Sequence, residues 1–588
     1  MTRIALIFFL FLSSVQAVWL TYEEAVLNSP FKTASIGWTI PFPNEDAVLI
    51  RGRGDDWRKW FKVDLVKADT TLFLDSLAFN WRGNDIHVDG LTISKTGQRL
   101  LIRTDSKKIW RYSHISTYFV YDLTQKRFFP LTDNNKNLRN VKFSPDGKRV
   151  AYVRQDNNLY MHDFESGRER KLTTTGSGTV SNGHFGWLYE EELTGYDGYR
   201  WSPNSESIAY WEEDESMVPE FSMINELGQY PSIEKIRYPK AGETNPTLKI
   251  GIIRIKGAGR KWVEGANVDY DYLPWMEWVN EEKVAFLKMD RKQKNWDMYV
   301  ADRATGRSVK VLSESDPDGW LENHEQIRFL NDGKIVWISE NSGYKHIWMS
   351  KHSGSRTWPI TEGKWEVSSI THIDEENKLI YFIGNKETVF ERRLYSIRYD
   401  GTDLKLITPE KGSHIVRMTG SKKYFIDTYS NVELPRKILL RELRTGKVVR
   451  VLGETDIKQF VEYEWSSPKI VHFPSLDSTT TLDGMLILPP NYTESKKYPV
   501  IIHGYGMPGT QIIWNRWGST WDQYLAQQGY IVFSMDTRGM SGRGEKFKNL
   551  SYGDMSKYLA LDQIAGINYL VDNGYADPER IGAWGWSG

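Results

Sequence analysis

The sequence predicts two folds in one chain: a ring of short β-sheets over most of its length, then an α/β domain at its end. Three observations carry this. Short alternating strands recur at a nearly constant interval from about residue 46 to 460. Turn sequences such as Pro145-Asp146-Gly147 recur in phase with them. Past residue 466 the pattern changes to buried strand, helix and buried strand.

Composition sets the outer bounds. A chain of 588 residues is too long for one core and divides into at least two domains. Lys+Arg and Asp+Glu number 76 each, so the net charge is zero, and no basic cluster marks a nucleic-acid partner. The 24 Trp and 31 Tyr suit a β-rich chain with many sheet faces to fill. Cysteine is absent, which excludes disulfides and thiolate metal sites. No metal and no cofactor is expected.

Taken in order, Met1-Thr2-Arg3 carries one positive charge, and the apolar run Ile4 to Leu12 and Ser13-Ser14-Val15-Gln16-Ala17 follow. That order reads as a secretory leader, residues 1–17, with export to a periplasm or the exterior as the expected address. Nine apolar residues fall short of the roughly 20 that cross a bilayer, so an uncleaved anchor is the weaker reading. Residues 18–45 form a segment expected to pack on the C-terminal domain. Within it Thr21-Tyr22-Glu23-Glu24 is a capping box opening a short helix to about Leu27.

The repeat unit from 46 onward is a strand, a hairpin turn and a strand ending in Leu-Thr or similar. Its terminal positions include Leu131, Leu172, Leu312, Ile360, Ile407 and Leu452. Their spacing is 41 to 48 residues, except for one gap of 140. Arg254 to Lys261 supplies a further hairpin inside that gap, and Val63 to Leu72 a first one, which brings the count to eight. Repeats of this length, joined by Pro-Asp-Gly turns, predict an eight-bladed β-propeller. The excess length falls near 174–250 and is expected to form an arm off the regular array. It contains Trp187-Leu188-Tyr189-Glu190-Glu191-Glu192-Leu193. Three consecutive carboxyls could be a solvated helix start or a carboxylate pair aimed at a cation.

From 466 to 588 the strands Tyr498 to Ile502 and Tyr530 to Ser534 are followed by a helix from about Ser556 to Asn573, stopped at Gly574. A strand from Arg580 to Trp584 leads into Gly585-Trp586-Ser587. Strand, helix, strand and Gly-x-Ser is the setting of a nucleophile elbow, where small neighbours let a serine project from a sharp turn.

These residues reach a known pattern. The chain resembles the dipeptidyl peptidase IV family of prolyl serine exopeptidases over nearly all of its mature length. The resemblance rests on Trp187 to Glu192, Tyr238-Pro239-Lys240-Ala241-Gly242 with Asn245-Pro246-Thr247, Asp536-Thr537-Arg538-Gly539, Asp562-Gln563 and Gly585-Trp586-Ser587. It implies an α/β-hydrolase domain after the propeller, with Ser587 as nucleophile. Tyr505, and the backbone N–H of Gly588, would hold the oxyanion. Glu191 and Glu192 would bind the protonated N-terminus of a peptide, and Arg111 the carbonyl of its first residue. The implied substrates are peptides with a free N-terminus and Pro or Ala second, and the implied assembly is a homodimer.

One departure stands out. The family continues Gly-Trp-Ser-Tyr-Gly-Gly through an Asp and a His that follow the serine in chain order, whereas this sequence reads Gly-Trp-Ser-Gly. The expectation is therefore a C-terminally truncated, incomplete hydrolase domain without dipeptidase activity of its own. The competing reading is a non-catalytic peptide-binding or scaffold propeller. An endopeptidase is disfavoured by the Glu pair.

Overall fold

Between Thr39 and Glu454, strands with buried centres assemble into eight antiparallel sheets spanning residues 39–75, 90–130, 139–171, 180–262, 276–315, 328–359, 367–406 and 413–454. This is an eight-bladed propeller. The computed structural model describes residues 18–587, apart from Trp38, Ala258, Asp269, 323–325, His352, Ser353 and Ser355. The expected leader and Gly588 lie outside the described residues. No helix among the described residues is long and apolar enough to cross a membrane.

Central strands such as Ile335–Ser339 are buried at every position, because each sheet is covered on both faces by its neighbours. The apolar core is accordingly divided among the gaps between blades. Leu49 and Trp60 of the first blade meet Leu100 and Ile102 of the second. Val48 and Leu65 meet Ile426, Ile438 and Leu440 of the eighth and close the ring. No strand is exchanged at the closure; Thr419 donates to the Asp46 carboxylate at 2.6 Å instead. The recurrent turn works through Gly147, whose φ of +68° lets its N–H reach Ser144 O at 2.9 Å.

Two features differ from the sequence reading. The first strand, Thr39–Pro41, lies ahead of the expected start at 46 and pairs Thr39 with Ile50. Only three residues long and next to prolines, it shows no alternation to read. The excess length is not a single arm either. Val180–Asn182 and Tyr199–Trp201 both pair with Ser207–Asp214, so they are two halves of one strand of the fourth blade. The Trp187–Leu193 helix is an excursion between those halves. A separate hairpin, Glu220–Asn225 and Ser232–Arg237, projects with most of its residues exposed.

The C-terminal sheet runs Lys469–Pro474, Thr481–Ile487, Ile531–Asp536, Tyr498–Gly504, Ala576–Gly585. The last three are mutually parallel and the first two antiparallel, so the sheet is mixed. The Met555–Asp572 helix packs Ala565 and Leu570 on Phe533 and Val500. Leu20 and Phe31 of the N-terminal segment are buried with Phe460, Trp465 and Trp517, beside the Thr520–Gln527 helix.

The two domains meet through polar groups. Lys548 reaches Glu340 at 2.5 Å, Gly544 N donates to Glu366 at 2.7 Å, and Asn515 donates to Glu391 at 2.7 Å. Asn549, which begins an Asn-x-Ser triplet, donates its amide to Asp316 at 3.0 Å. Blades five to seven thereby hold the loops that follow Tyr498–Gly504 and Ile531–Asp536.

Candidate substrate-recognition and nucleophile site

The helix Trp187–Leu193 is too short to be stable alone and is held by its neighbours. Its start is bound through Gly186 N, which donates to Glu213 at 2.5 Å. Its end closes at Thr194 in the left-handed region, φ +54°. Tyr189 and Leu193, four residues apart, face the core of the fourth and fifth blades; Tyr189 accepts from Leu273 N at 3.0 Å and stacks on Phe185.

Successive helical residues point about 100° apart, so the three glutamates cannot share one environment. Glu190 turns inward and is buried, accepting N–H bonds from Tyr112 at 2.7 Å and Ser113 at 2.8 Å. Glu191 faces Arg111, whose Nε donates to it at 2.9 Å and whose Nη2 completes a bidentate pair. Glu192 points to solvent. Arg111 comes from a distant element, the hairpin between Arg99–Lys108 and His114–Asp122 of the second blade.

Electrostatics separate Glu191 from Glu192. The bond and charge of Arg111 hold Glu191 below the ordinary glutamate value of 4.5. Partial burial, reinforced by the Glu191 charge, pushes Glu192 above it. One guanidinium facing two carboxyls leaves the group one positive charge short, and a cation is what would complete it.

Under the helix lies a second acid pair that sequence reasoning missed. Glu213 is fully buried and Glu215 fills the space beside Gly186, where an added Cβ would lie 2.1 Å from its Oε1. Burial pushes Glu215 up to about 7 and Glu213 well above its ordinary range. Glu213 lies in the Ser207–Asp214 strand and Glu215 just past its end, and nothing local in the sequence signalled the burial.

The other half of the site stands on the C-terminal domain. Ser587 follows the Ala576–Gly585 strand with φ +69°, a left-handed conformation that a serine adopts only under constraint. Gly585 is required there, since a Cβ would lie 2.7 Å from Gly504 O. Tyr505, at the end of the Tyr498–Gly504 strand, is half-buried. A cavity of about 780 Å³, walled by Tyr505, Trp584, Trp586, Trp514 and Arg516, opens at the end of that strand. His503, also unread in the sequence, bonds Asp522 at 3.0 Å and stacks on Trp584. Among the described residues nothing bonds the Ser587 hydroxyl.

An α/β domain with a strained serine at a strand end, joined to an eight-bladed propeller, defines the class: a propeller-bearing α/β-hydrolase. Comparison with known proteins narrows it. Residues 94–436 match the dipeptidyl peptidase IV N-terminal region, and residues 517–588 match the prolyl oligopeptidase family. A "Probable dipeptidyl peptidase 4" of Aspergillus flavus is 27% identical, over 88% of this chain and 71% of that protein. The dipeptidyl peptidase 4 of Trichophyton equinum is 30% identical, over 83% of this chain and 66% of its own length. The crystal structure of Porphyromonas gingivalis dipeptidyl peptidase 4 superposes with a TM-score of 0.90 at 25% identity, covering 97% of this chain and 81% of that one. The chain belongs to the dipeptidyl peptidase IV family. It spans about two thirds of the length of the curated relatives it matches.

Proposed function

We propose that this protein is an exported serine exopeptidase that releases dipeptides from peptides with a free N-terminus and Pro or Ala in second position. The observation that carries the reading is the group Arg111, Glu191 and Glu192, gathered from two blades, with Glu191 in a bidentate pair with Arg111 and Glu192 exposed beside it. Glu192 and the free lone pairs of Glu191 would take the ammonium through charge-assisted hydrogen bonds. Arg111, fixed by Glu191, would offer its remaining N–H groups to the carbonyl of the first residue. A chain end held there presents the bond after the second residue to Ser587, whose attack would generate an oxyanion held by Tyr505 and the N–H of Gly588. Metals and cofactors have no part in this scheme.

A serine hydroxyl needs a base to become a useful nucleophile. The exposed hairpin carries Ile224, Leu227, Tyr230 and Ile233 in water, which suits pairing with a second copy.

The test is product identity. Peptides beginning Gly-Pro, Gly-Ala and Gly-Leu are incubated with the protein and the products weighed by mass spectrometry. Two-residue products from the first two peptides support the reading. Single amino acids, or cleavage inside a chain, would replace it with an aminopeptidase or endopeptidase.

A further inference from the structure

The first of the three glutamates has no place in the recognition chemistry, yet it is 1% exposed. Its Oε1 accepts two backbone N–H groups, from Tyr112 and Ser113, and its Oε2 is buried with no hydrogen-bond partner. A half-satisfied buried carboxyl is costly. An apolar residue would serve a purely structural helix better, and the carboxyl's position gives a reason for keeping it.

Tyr112 and Ser113 follow Arg111 directly, at the tip of the second-blade hairpin. The tip, Ile109 to Ser113, is closed by Ile109 N to Ser113 O at 2.9 Å. A register shift between Thr104 and Lys107 interrupts the strand pairing that leads out to it. The tip touches the recognition helix and the turn beyond it at three places. Arg111 grips Glu191, Tyr112 stacks on Tyr196 with ring centroids 5.7 Å apart, and Glu190 grips the backbone. The first two involve exposed side chains: Arg111 keeps 57% of its side chain accessible, and Tyr112 and Tyr196 are 44% and 42% exposed. Only the Glu190 contact is shielded from water, where hydrogen bonds are strongest.

We infer that Glu190 is a positioning residue: its carboxyl oxygen fastens the Arg111 hairpin of one blade to the recognition helix of another, and so fixes Arg111 on Glu191 and leaves Glu192 to the ligand. This rests on the reading of that site as an ammonium-binding group. What matters at Glu190 is then reach and an acceptor oxygen, not charge. Glu190→Gln keeps both, because the carboxamide oxygen can accept the same two N–H groups. Glu190→Asp keeps the acid but withdraws it by one methylene. A role in the site's electrostatics ranks the two variants the other way round.

The experiment titrates the 588-residue chain, and its E190Q and E190D variants, with the tripeptide Gly-Pro-Gly and with its N-acetyl form, by calorimetry. Amide hydrogen exchange is followed over residues 109–114 in each protein. E190Q is expected to bind the free peptide within about threefold of wild type. E190D is expected to bind it on the order of tenfold more weakly, the effect of losing about one good hydrogen bond's worth of placement. Exchange at Tyr112 and Ser113 should rise in E190D alone, while the rest of the propeller stays protected. E190D binding like wild type, or E190Q weakening more than E190D, overturns the inference. A wild-type chain that binds free and acetylated peptide alike overturns the recognition reading instead. The exchange data then still show whether Glu190 holds the hairpin.

Discussion

Replacing Arg538 by alanine is expected to cost the C-terminal domain about 3–5 kcal/mol, the scale for breaking a buried pair while leaving one charge behind. Arg538 is 3% exposed and Asp562 fully buried. Its Nη2 meets Asp562 at 2.6 Å, its Nε at 3.0 Å, and its backbone N–H donates to the same carboxylate at 2.8 Å. A further link runs from Nη1 to Asp477 at 2.7 Å, in the turn between the two antiparallel strands. One guanidinium thus ties that turn, the loop after Ile531–Asp536 and the Met555–Asp572 helix together. Hydrogen exchange in increasing urea, read on that strand and helix, measures the loss. The propeller's exchange should be unchanged. Arg538→Met combined with Asp562→Leu should recover part of the stability, since no charge is left unpaired. A loss under about 1 kcal/mol for the alanine variant would mean that the pair is incidental to the domain.

Glu191→Gln and Glu192→Gln are each expected to lower capture of a free N-terminus tenfold to a hundredfold. Either change removes a charged hydrogen bond, a loss of about 1.5–3 kcal/mol. Turnover of such peptides should show the same factors in kcat/KM. The two variants should differ in pH response. Glu192 lies above the ordinary glutamate value because of its partial burial and the Glu191 charge. A raised acid is neutral at low pH, so affinity should climb as pH rises through that raised value. It should fall again as the peptide amine loses its proton near 8. Glu192→Gln should abolish the acid limb. Glu191→Gln should keep it and move it down, because the neighbouring charge is gone. Identical profiles for both variants would contradict the division of roles.

The repeat was legible because each blade is one supersecondary unit, and its turns carry their own chemistry, as Gly147 does. Long-range pairing was not. The two halves of the fourth blade's interrupted strand are joined only through Ser207–Asp214, and repeat spacing cannot show which strand a helix interrupts. Within the recognition helix the phase was available in principle. Tyr189 and Leu193 mark the buried stripe at i and i+4, and Glu190 lies three residues before Leu193, beside that stripe. Glu191 and Glu192 fall on the remaining face. What Glu190 would meet there was not readable, since Tyr112 and Ser113 arrive from about 80 residues upstream. The His503–Asp522 pair was silent for the same reason, and Arg538 with Asp562 carried family likeness but no visible task.

The central claim is that the glutamate pair reads a protonated chain end. Acetylating the amine removes the charge while leaving the rest of the peptide unaltered, so the most direct measurement is a pair of calorimetric titrations at neutral pH. The 588-residue chain receives Gly-Pro-Gly in one and acetyl-Gly-Pro-Gly in the other. The account predicts that the free peptide binds at least tenfold more tightly, and that the preference vanishes when Glu191 and Glu192 are both glutamine. Equal binding of the two peptides by the unaltered chain would contradict it.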